Sequence, residues 1–117
     1  MKKLIISAFA VVLFGTTAGY AQNLSIVEQA GWGNGQLTDQ TGHNYSYTGQ
    51  VGINNGSITG QLGRNSASTN QFGVSNFSLT DQSGAFNGSQ TVQTGVGNWS
   101  ESYQLGVGNS SLTIQKN

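Results

Sequence analysis

The sequence has no cysteine and no proline, and only 7% of its 117 residues are charged. Without cysteine there is no disulfide scaffold and no thiolate nucleophile or metal ligand. A single histidine, His43, and four scattered acids provide no base paired with a nucleophile and no cluster of metal ligands, so we predict neither catalysis nor a cofactor or metal. No basic patch indicates nucleic-acid binding. The absence of proline removes a common means of blocking sheet edges.

The beginning of the chain differs in composition from the rest. Two lysines precede an apolar run at residues 4–14, and small residues follow up to Ala21. This order is typical of a cleaved secretory signal peptide, and the run is shorter than the roughly 20 residues that a membrane-spanning helix needs. We therefore predict a signal peptide at residues 1–21, followed by one secreted domain at residues 22–117.

A strand-sized unit, Asn-x-Ser-x-Thr-x-Gln followed by x-Gly, recurs through this domain. Repetition at a fixed period predicts a repeat architecture. Most turns carry two residues between the glycine and the next asparagine, but those at residues 42–44 and 63–65 carry one. Units 1 to 9 occupy residues 23–29, 34–40, 44–50, 55–61, 65–71, 76–82, 87–93, 98–104 and 109–115.

The alternation of side chains within each unit predicts an all-β fold. One face repeats Asn, Ser, Thr and Gln, whereas the other is irregular and carries the four acids, Glu28, Asp39, Asp81 and Glu101. We place the uniform face inside, because unpaired charges are costly to bury. Two strands and two turns form one coil, so nine units predict a β-solenoid of about four and a half coils with two facing parallel sheets.

Two sets of residues are expected to hold the stack together. Amide side chains on successive coils can bond one another in ladders, and glycines two residues after each glutamine permit the reversals. The predicted ladder contains Gln29, Asn34, Gln40, Asn44, Gln50, Asn55, Gln61, Asn65, Gln71, Asn76, Gln82, Asn87, Gln93, Asn98, Gln104, Asn109 and Gln115. The predicted turn glycines are Gly31, Gly42, Gly52, Gly63, Gly73, Gly84, Gly95 and Gly106.

The first and last units lack the modified sequence that normally caps a soluble solenoid. Both are in full register with the other units, so the ladders are expected to be unfinished at the two ends. Contact between unlike ends does not close on itself and gives a filament. The sequence therefore predicts a subunit that polymerises with itself, head to tail, into a cross-β fibre of the amyloid kind.

The pattern Ser-x5-Gln-x-Gly-x-x-Asn-x5-Gln resembles the curlin repeat of curli fibre subunits. The resemblance covers residues 23–115, with asparagine mostly replacing the family's serine. The segments at residues 29–34 and 104–109, Gln-Ala-Gly-Trp-Gly-Asn and Gln-Leu-Gly-Val-Gly-Asn, are close to the family's most typical stretches.

The resemblance implies a structural subunit of an extracellular functional amyloid on a Gram-negative bacterium, used for surface adhesion and biofilm matrix. It also implies a nucleator subunit and an outer-membrane export pore with accessory proteins as partners. The regular last unit favours the major subunit over the minor nucleator. One departure is that only Gln22 separates the predicted cleavage site from unit 1, whereas the enterobacterial major subunit has a longer glycine-rich leader.

Three features leave alternatives open. Asp39 and Asp81 are candidate gatekeepers that slow premature association, or simply part of a solvated face. The eight aromatic residues outside the signal peptide either promote bundling and adhesion or only pack locally. A soluble solenoid that binds a repetitive surface such as ice is a rival function, and it requires the column of Thr38, Thr59 and Thr80 to face outward.

Overall fold

The computed structural model describes residues 23–117, so the predicted signal peptide lies outside the described residues. Seven strands follow one another in this part of the chain. They are β1 (Leu24–Trp32), β2 (Gly35–Gly42), β3 (Tyr45–Ile53), β4 (Gly56–Val74), β5 (Phe77–Val96), β6 (Trp99–Val107) and β7 (Ser110–Lys116). The strands β4 and β5 are long because each contains two repeat units and the turn between them.

All strand pairs are parallel and join residues one coil apart. Units 1, 3, 5, 7 and 9 stack in one sheet, here called the odd sheet, through the pairs β1–β3, β3–β4, β4–β5 and β5–β7. Units 2, 4, 6 and 8 stack in the facing even sheet through β2–β4, β4–β5 and β5–β6. The predicted all-β solenoid with two facing parallel sheets is therefore confirmed.

The turns are themselves part of the paired structure. The register of β1 on β3 and of β3 on β4 continues past the glutamines and brings Gly31, Gly52 and Gly73 into one column. The eight predicted turn glycines all have positive φ, between 111° and 131°. A side chain is rarely tolerated in this conformation, which glycine adopts freely. The strands thus extend beyond the seven-residue units that the sequence suggests.

Coil length changes once along the solenoid. Stacked glutamines are 21 residues apart up to the pair Gln61–Gln82, and 22 apart from the pair Gln71–Gln93 onward. The pairing shifts between Arg64 and Asn65, because the three-residue turn at residues 63–65 lies against a four-residue turn above it. The extra residue is Phe86, which has a φ of 60°. The difference in length between the two turns is thus confined to the turns themselves, and the strands keep their register.

The interior is polar. Ala67 is the only buried hydrophobic residue in the described part of the chain, and the other buried positions are Asn, Ser, Thr and Gln. The predicted inward orientation of the uniform face is therefore confirmed. Six buried hydroxyl oxygens have no hydrogen-bond partner within residues 23–117, those of Ser46, Thr48, Ser57, Ser78, Thr91 and Ser100. Since an unpaired buried polar group costs free energy, stability must come from elsewhere.

Replacing Ser78 with alanine is expected to leave the fold intact and to raise the free energy of unfolding by about 1 kcal/mol, because an unpaired buried hydroxyl is removed. Ala67 already occupies the corresponding position of unit 5. The measurement is urea unfolding of the variant and the parent, followed by circular dichroism. Clear destabilisation would mean that this hydroxyl forms an interaction that stabilises the core.

Candidate functional site

Glutamine side chains form one continuous ladder in each sheet. In the odd sheet, Nε2 of each glutamine donates to Oε1 of the one above, from Gln29 through Gln50, Gln71 and Gln93 to Gln115, at 2.6 to 2.8 Å. In the even sheet the same bonds join Gln40, Gln61, Gln82 and Gln104 at 2.6 to 2.8 Å. Here "above" means toward the C-terminal end of the stack. The glutamines predicted from the sequence thus lie in two directional chains.

Asparagine side chains form two further ladders, which run in the opposite sense. The backbone N–H of each asparagine donates to Oδ1 of the asparagine one coil below, as from Asn76 to Asn55 at 3.1 Å. Six of these asparagines also donate through Nδ2 to the same oxygen. These asparagines stand at corners immediately before a strand, except Asn65 and Asn87, which stand at corners within the long strands β4 and β5. At the corners that precede a strand, the amide replaces the strand pairing that the backbone loses there.

Amide side chains also join the two sheets. Nε2 of Gln93, in unit 7, donates to the carbonyl of Phe77 in unit 6 at 2.9 Å. Nδ2 of Asn65, in unit 5, donates to the carbonyl of Gln82 in unit 6 at 3.4 Å. A strand thus bonds to both the preceding and the following unit of the facing sheet. The bond to the preceding unit recurs from both sheets, as from Gln50 to Gly35 and from Gln61 to Tyr45, and this indicates that each unit lies about half a coil above its predecessor.

The two ends of the stack differ in which hydrogen-bonding groups of their glutamines remain free. At the lower end, within residues 23–117, Oε1 of Gln29 and of Gln40 accept no hydrogen bond from a glutamine below. At the upper end, again within the described residues, Gln104 and Gln115 each use only one amide hydrogen, toward the carbonyls of Gly88 and Trp99. The lower end therefore presents free acceptors in the glutamine ladders, and the upper end presents free donors.

Comparisons of the chain with family models, with curated proteins and with solved structures found no match. Its function must therefore be argued from its own residues. The described residues contain no group of three or more His, Cys, Asp or Glu side chains placed to hold a metal ion. No helix in the described part of the chain is long and apolar enough to cross a membrane.

The outer faces carry the acids and most of the aromatic side chains. Asp39 and Asp81, the candidate gatekeepers, are exposed in one column of the even sheet, separated by Gly60. Phe77 and Trp99 stack on adjacent strands with ring centroids 4.5 Å apart. Trp32 is 73% exposed in a turn. The aromatic residues thus lie outside the amide ladders.

The threonine column faces the interior. Thr59 and Thr80 are each 1% exposed, and Thr38 is partly buried at the lower end. An ice-binding solenoid of the kind considered above needs these threonines on a flat outer surface. The structure offers no such outward array on this column.

One exposed hydrogen bond on the odd sheet joins a tyrosine to an acid. The phenol of Tyr47 donates to Oε2 of Glu28 at 2.9 Å. This hydrogen bond, with smaller contributions from burial and from the negative charge of Glu28, raises the pKa of Tyr47. The raised value means that the contact contributes stability below the phenol's ordinary pKa and loses it as the pH rises through the folded-state pKa.

We expect Tyr47 to deprotonate above its usual pKa of about 10. Replacing Glu28 with glutamine should move that pKa back toward its ordinary value, because the charged acceptor is lost. The measurement is an ultraviolet absorbance titration in a background with Tyr45→Phe and Tyr103→Phe, in which Tyr47 is the only tyrosine of residues 22–117. Identical titrations with and without Glu28 would show that the hydrogen bond is absent in solution.

Two features of the site were missed in the sequence. A second turn position, immediately before the asparagine, also has positive φ in the four-residue turns and includes Asn54, Ser75 and Phe86 as well as glycines. The sequence signal for this second positive φ was the presence of two residues between the glycine and the asparagine. The opposite directions of the Gln and Asn ladders had no signal in the sequence, because amide orientation depends on the neighbouring coils.

Proposed function

We propose that the protein is the structural subunit of a curli-like extracellular fibre, in which copies polymerise head to tail through their open ends. The observation that carries this proposal is the complementarity of those ends. Free Nε2 donors of Gln104 and Gln115 at the upper end match free Oε1 acceptors of Gln29 and Gln40 at the lower end. Glutamines of two like ends would instead oppose donor to donor or acceptor to acceptor.

The open strand edges supply the driving force for this contact. Within residues 23–117, β1 and β2 pair only with the strands above them, and β6 and β7 only with the strand below. An edge strand presents a row of unpaired N–H and C=O groups that can pair with another chain. Addition of a copy completes the backbone pairing and the amide ladders together, which supports growth of a cross-β fibre.

The curlin resemblance gives this fibre its biological setting within the proposal. The chain would be secreted by a Gram-negative bacterium and assembled on the cell surface, where it serves adhesion and the biofilm matrix. An export pore with accessory proteins and a nucleator subunit would be its partners. The regular stacking of unit 9 on unit 7 supports the role of major subunit rather than nucleator.

The test is assembly of residues 22–117 diluted from denaturant, with and without fragmented fibres as seeds. We expect a lag that seeds abolish, and fibre diffraction at about 4.7 and 10 Å. A protein that stays monomeric at every concentration and ignores seeds would overturn the proposal.

A variant can test the role of the lower end. Replacing Gln29 and Gln40 together with leucine removes both free acceptors, and we expect slower elongation from parent seeds. Gln90→Leu is the matched control, because Gln90 is exposed on the outer face. Equal elongation by both variants would argue against growth through the amide ladders.

The gatekeeper hypothesis makes a separate prediction. Replacing Asp39 and Asp81 with asparagine should shorten the lag before fibres appear, because repulsion between approaching copies falls without any change in side-chain size. The measurement is thioflavin fluorescence at several salt concentrations. The lag times of the parent and the variant should become equal as the salt concentration rises, because salt screens the charges. An unchanged lag at low salt would assign both acids to an ordinary solvated face.

A further inference from the structure

Residues 23–117 contain nine strand units, an odd number, and this determines how two copies of this part of the chain can join. This inference rests on the proposed function, because it specifies the geometry of the same contact. The odd sheet contains five units and the even sheet four, so the upper end is stepped. At that end β7 lies half a coil above β6. At the lower end β1 lies half a coil below β2.

A second copy added without rotation leaves the seam incomplete. If its β1 pairs with β7 of the first copy, its β2 lies two strand spacings above β6, about 9.6 Å, which is too far for pairing. Both facing edges of the even sheet then remain without a partner, as does the free amide hydrogen of Gln104. If the second copy is lowered until its β2 pairs with β6, its β1 must occupy the position that β7 of the first copy already fills. This arrangement is therefore excluded by overlap.

A second copy rotated by half a turn about the stacking axis completes the seam. Its β1 then pairs with β6 and its β2 with β7, and the strand directions stay parallel because the rotation exchanges the two sheets. Gln104 can donate to Oε1 of the next copy's Gln29, and Gln115 to Oε1 of its Gln40. We propose that successive subunits alternate by a half turn, so that the stepped upper end of each copy binds the stepped lower end of the next.

The turns at the seam support the same arrangement. In the rotated arrangement the turn at residues 106–109 lies beneath the next copy's turn at residues 31–34, and both have four residues with the sequence Gly-x-Gly-Asn. Without rotation, the three-residue turn at residues 42–44 would come next above it. Leu105 and Val107 are 84% and 74% exposed, and rotation places the next copy's Ala30 and Trp32 over them.

Alternation also changes the surface of the fibre. One edge of the subunit carries an apolar turn column of Trp32, Ile53, Val74 and Val96, and the opposite edge carries His43, Arg64, Ala85 and Val107. With alternation, each side of the fibre shows these two columns in turn.

The expected rise is about 22 Å for each subunit, since strands within a sheet lie about 4.8 Å apart. Stacking without rotation would give about 24 Å and no half turn.

The test uses paired cysteines, which the chain allows because it has none of its own. In the alternating fibre, outward-facing Tyr103 lies directly below the next copy's Glu28, at a Cα separation of about 4.8 Å that suits a disulfide. We expect fibres of the Glu28→Cys/Tyr103→Cys variant to lose their monomer band on non-reducing gels after mild oxidation. The matched control is Glu28→Cys/Ile114→Cys, whose cysteines would face opposite sides of the fibre.

The outcomes separate this inference from the proposed function. Cross-linking of the control pair, with none of the Glu28–Tyr103 pair, would establish stacking without rotation and overturn the alternation while leaving the fibre intact. Absence of fibres in the parent protein would instead overturn the proposed function.

If the cysteine variants fail to assemble, the helical symmetry of parent fibres decides the same question by electron cryomicroscopy. A rise of about 22 Å with a rotation near a half turn supports alternation, and about 24 Å without that rotation overturns it.

Discussion

Replacing Gly52 with alanine is expected to prevent folding of the solenoid and to abolish fibre formation. Gly52 has a φ of 131°, a backbone conformation that side chains rarely adopt. An added Cβ would also collide with the backbone carbonyl oxygen of Gly73 in the coil above. Strain of this kind costs about 1 to 3 kcal/mol before the collision is counted, and neither backbone can move without breaking strand pairing.

The measurement for Gly52→Ala is the β-sheet signal in circular dichroism after dilution from urea, with seeded growth as a second readout. Gly88→Ala is the matched control, because a Cβ at Gly88 meets no atom within 4 Å and its φ is not positive. The control should fold and assemble as the parent does. Equal behaviour of the two variants would show that the turn column does not require glycine.

Replacing Gln71 with alanine is expected to destabilise the subunit by about 3 to 5 kcal/mol, from lost hydrogen bonds together with a buried cavity. Gln71 is fully buried at the centre of the odd ladder. Its Nε2 donates to Gln93 and to the carbonyl of Gly56, each at 2.8 Å, and its Oε1 accepts from Gln50 at 2.7 Å. The substitution therefore leaves Oε1 of Gln93 without its donor.

Urea unfolding of monomers, followed by circular dichroism, measures the loss in the Gln71 variant. Gln90→Ala is the control, since it removes the same amide from the outer face of the adjacent unit in the same sheet. The control should lose less than about 0.5 kcal/mol, as is usual for exposed positions. If the two variants lose the same free energy, the inner ladder contributes little beyond the packing of any glutamine.

Much of the fold follows from the periodicity of the sequence. Uniform columns such as Ser46, Ala67 and Ser89, alternating with irregular positions, indicate strands with one constant face. The charges of Glu28, Asp39, Asp81 and Glu101 assign the irregular face to solvent, because burial would cost too much. These two facts are sufficient to predict the coil, its two sheets and the inward amides.

Strand limits could not be obtained in this way. The repeat places a turn after each glutamine, but the structure pairs Gly31 with Gly52 and Gly52 with Gly73, so the turns also stack. Arg64 and Ala85 lie in turns one coil apart and also pair with each other. This pairing joins units 4 and 5 into the single strand β4. A turn extends a sheet only when another turn lies against it in the neighbouring coil, and that depends on coil geometry rather than on local sequence.

By itself, the sequence determined the unit, the number of units and the polar interior, because side chains alternate with a period of two and stacked repeats place like residues together. Tertiary structure decided the direction of each ladder. Gln50 donates upward to Gln71, whereas Asn76 donates downward to Asn55, since each amide orients to the groups that the neighbouring coils present. That orientation distinguishes the two ends, and it arises only after the coils have stacked.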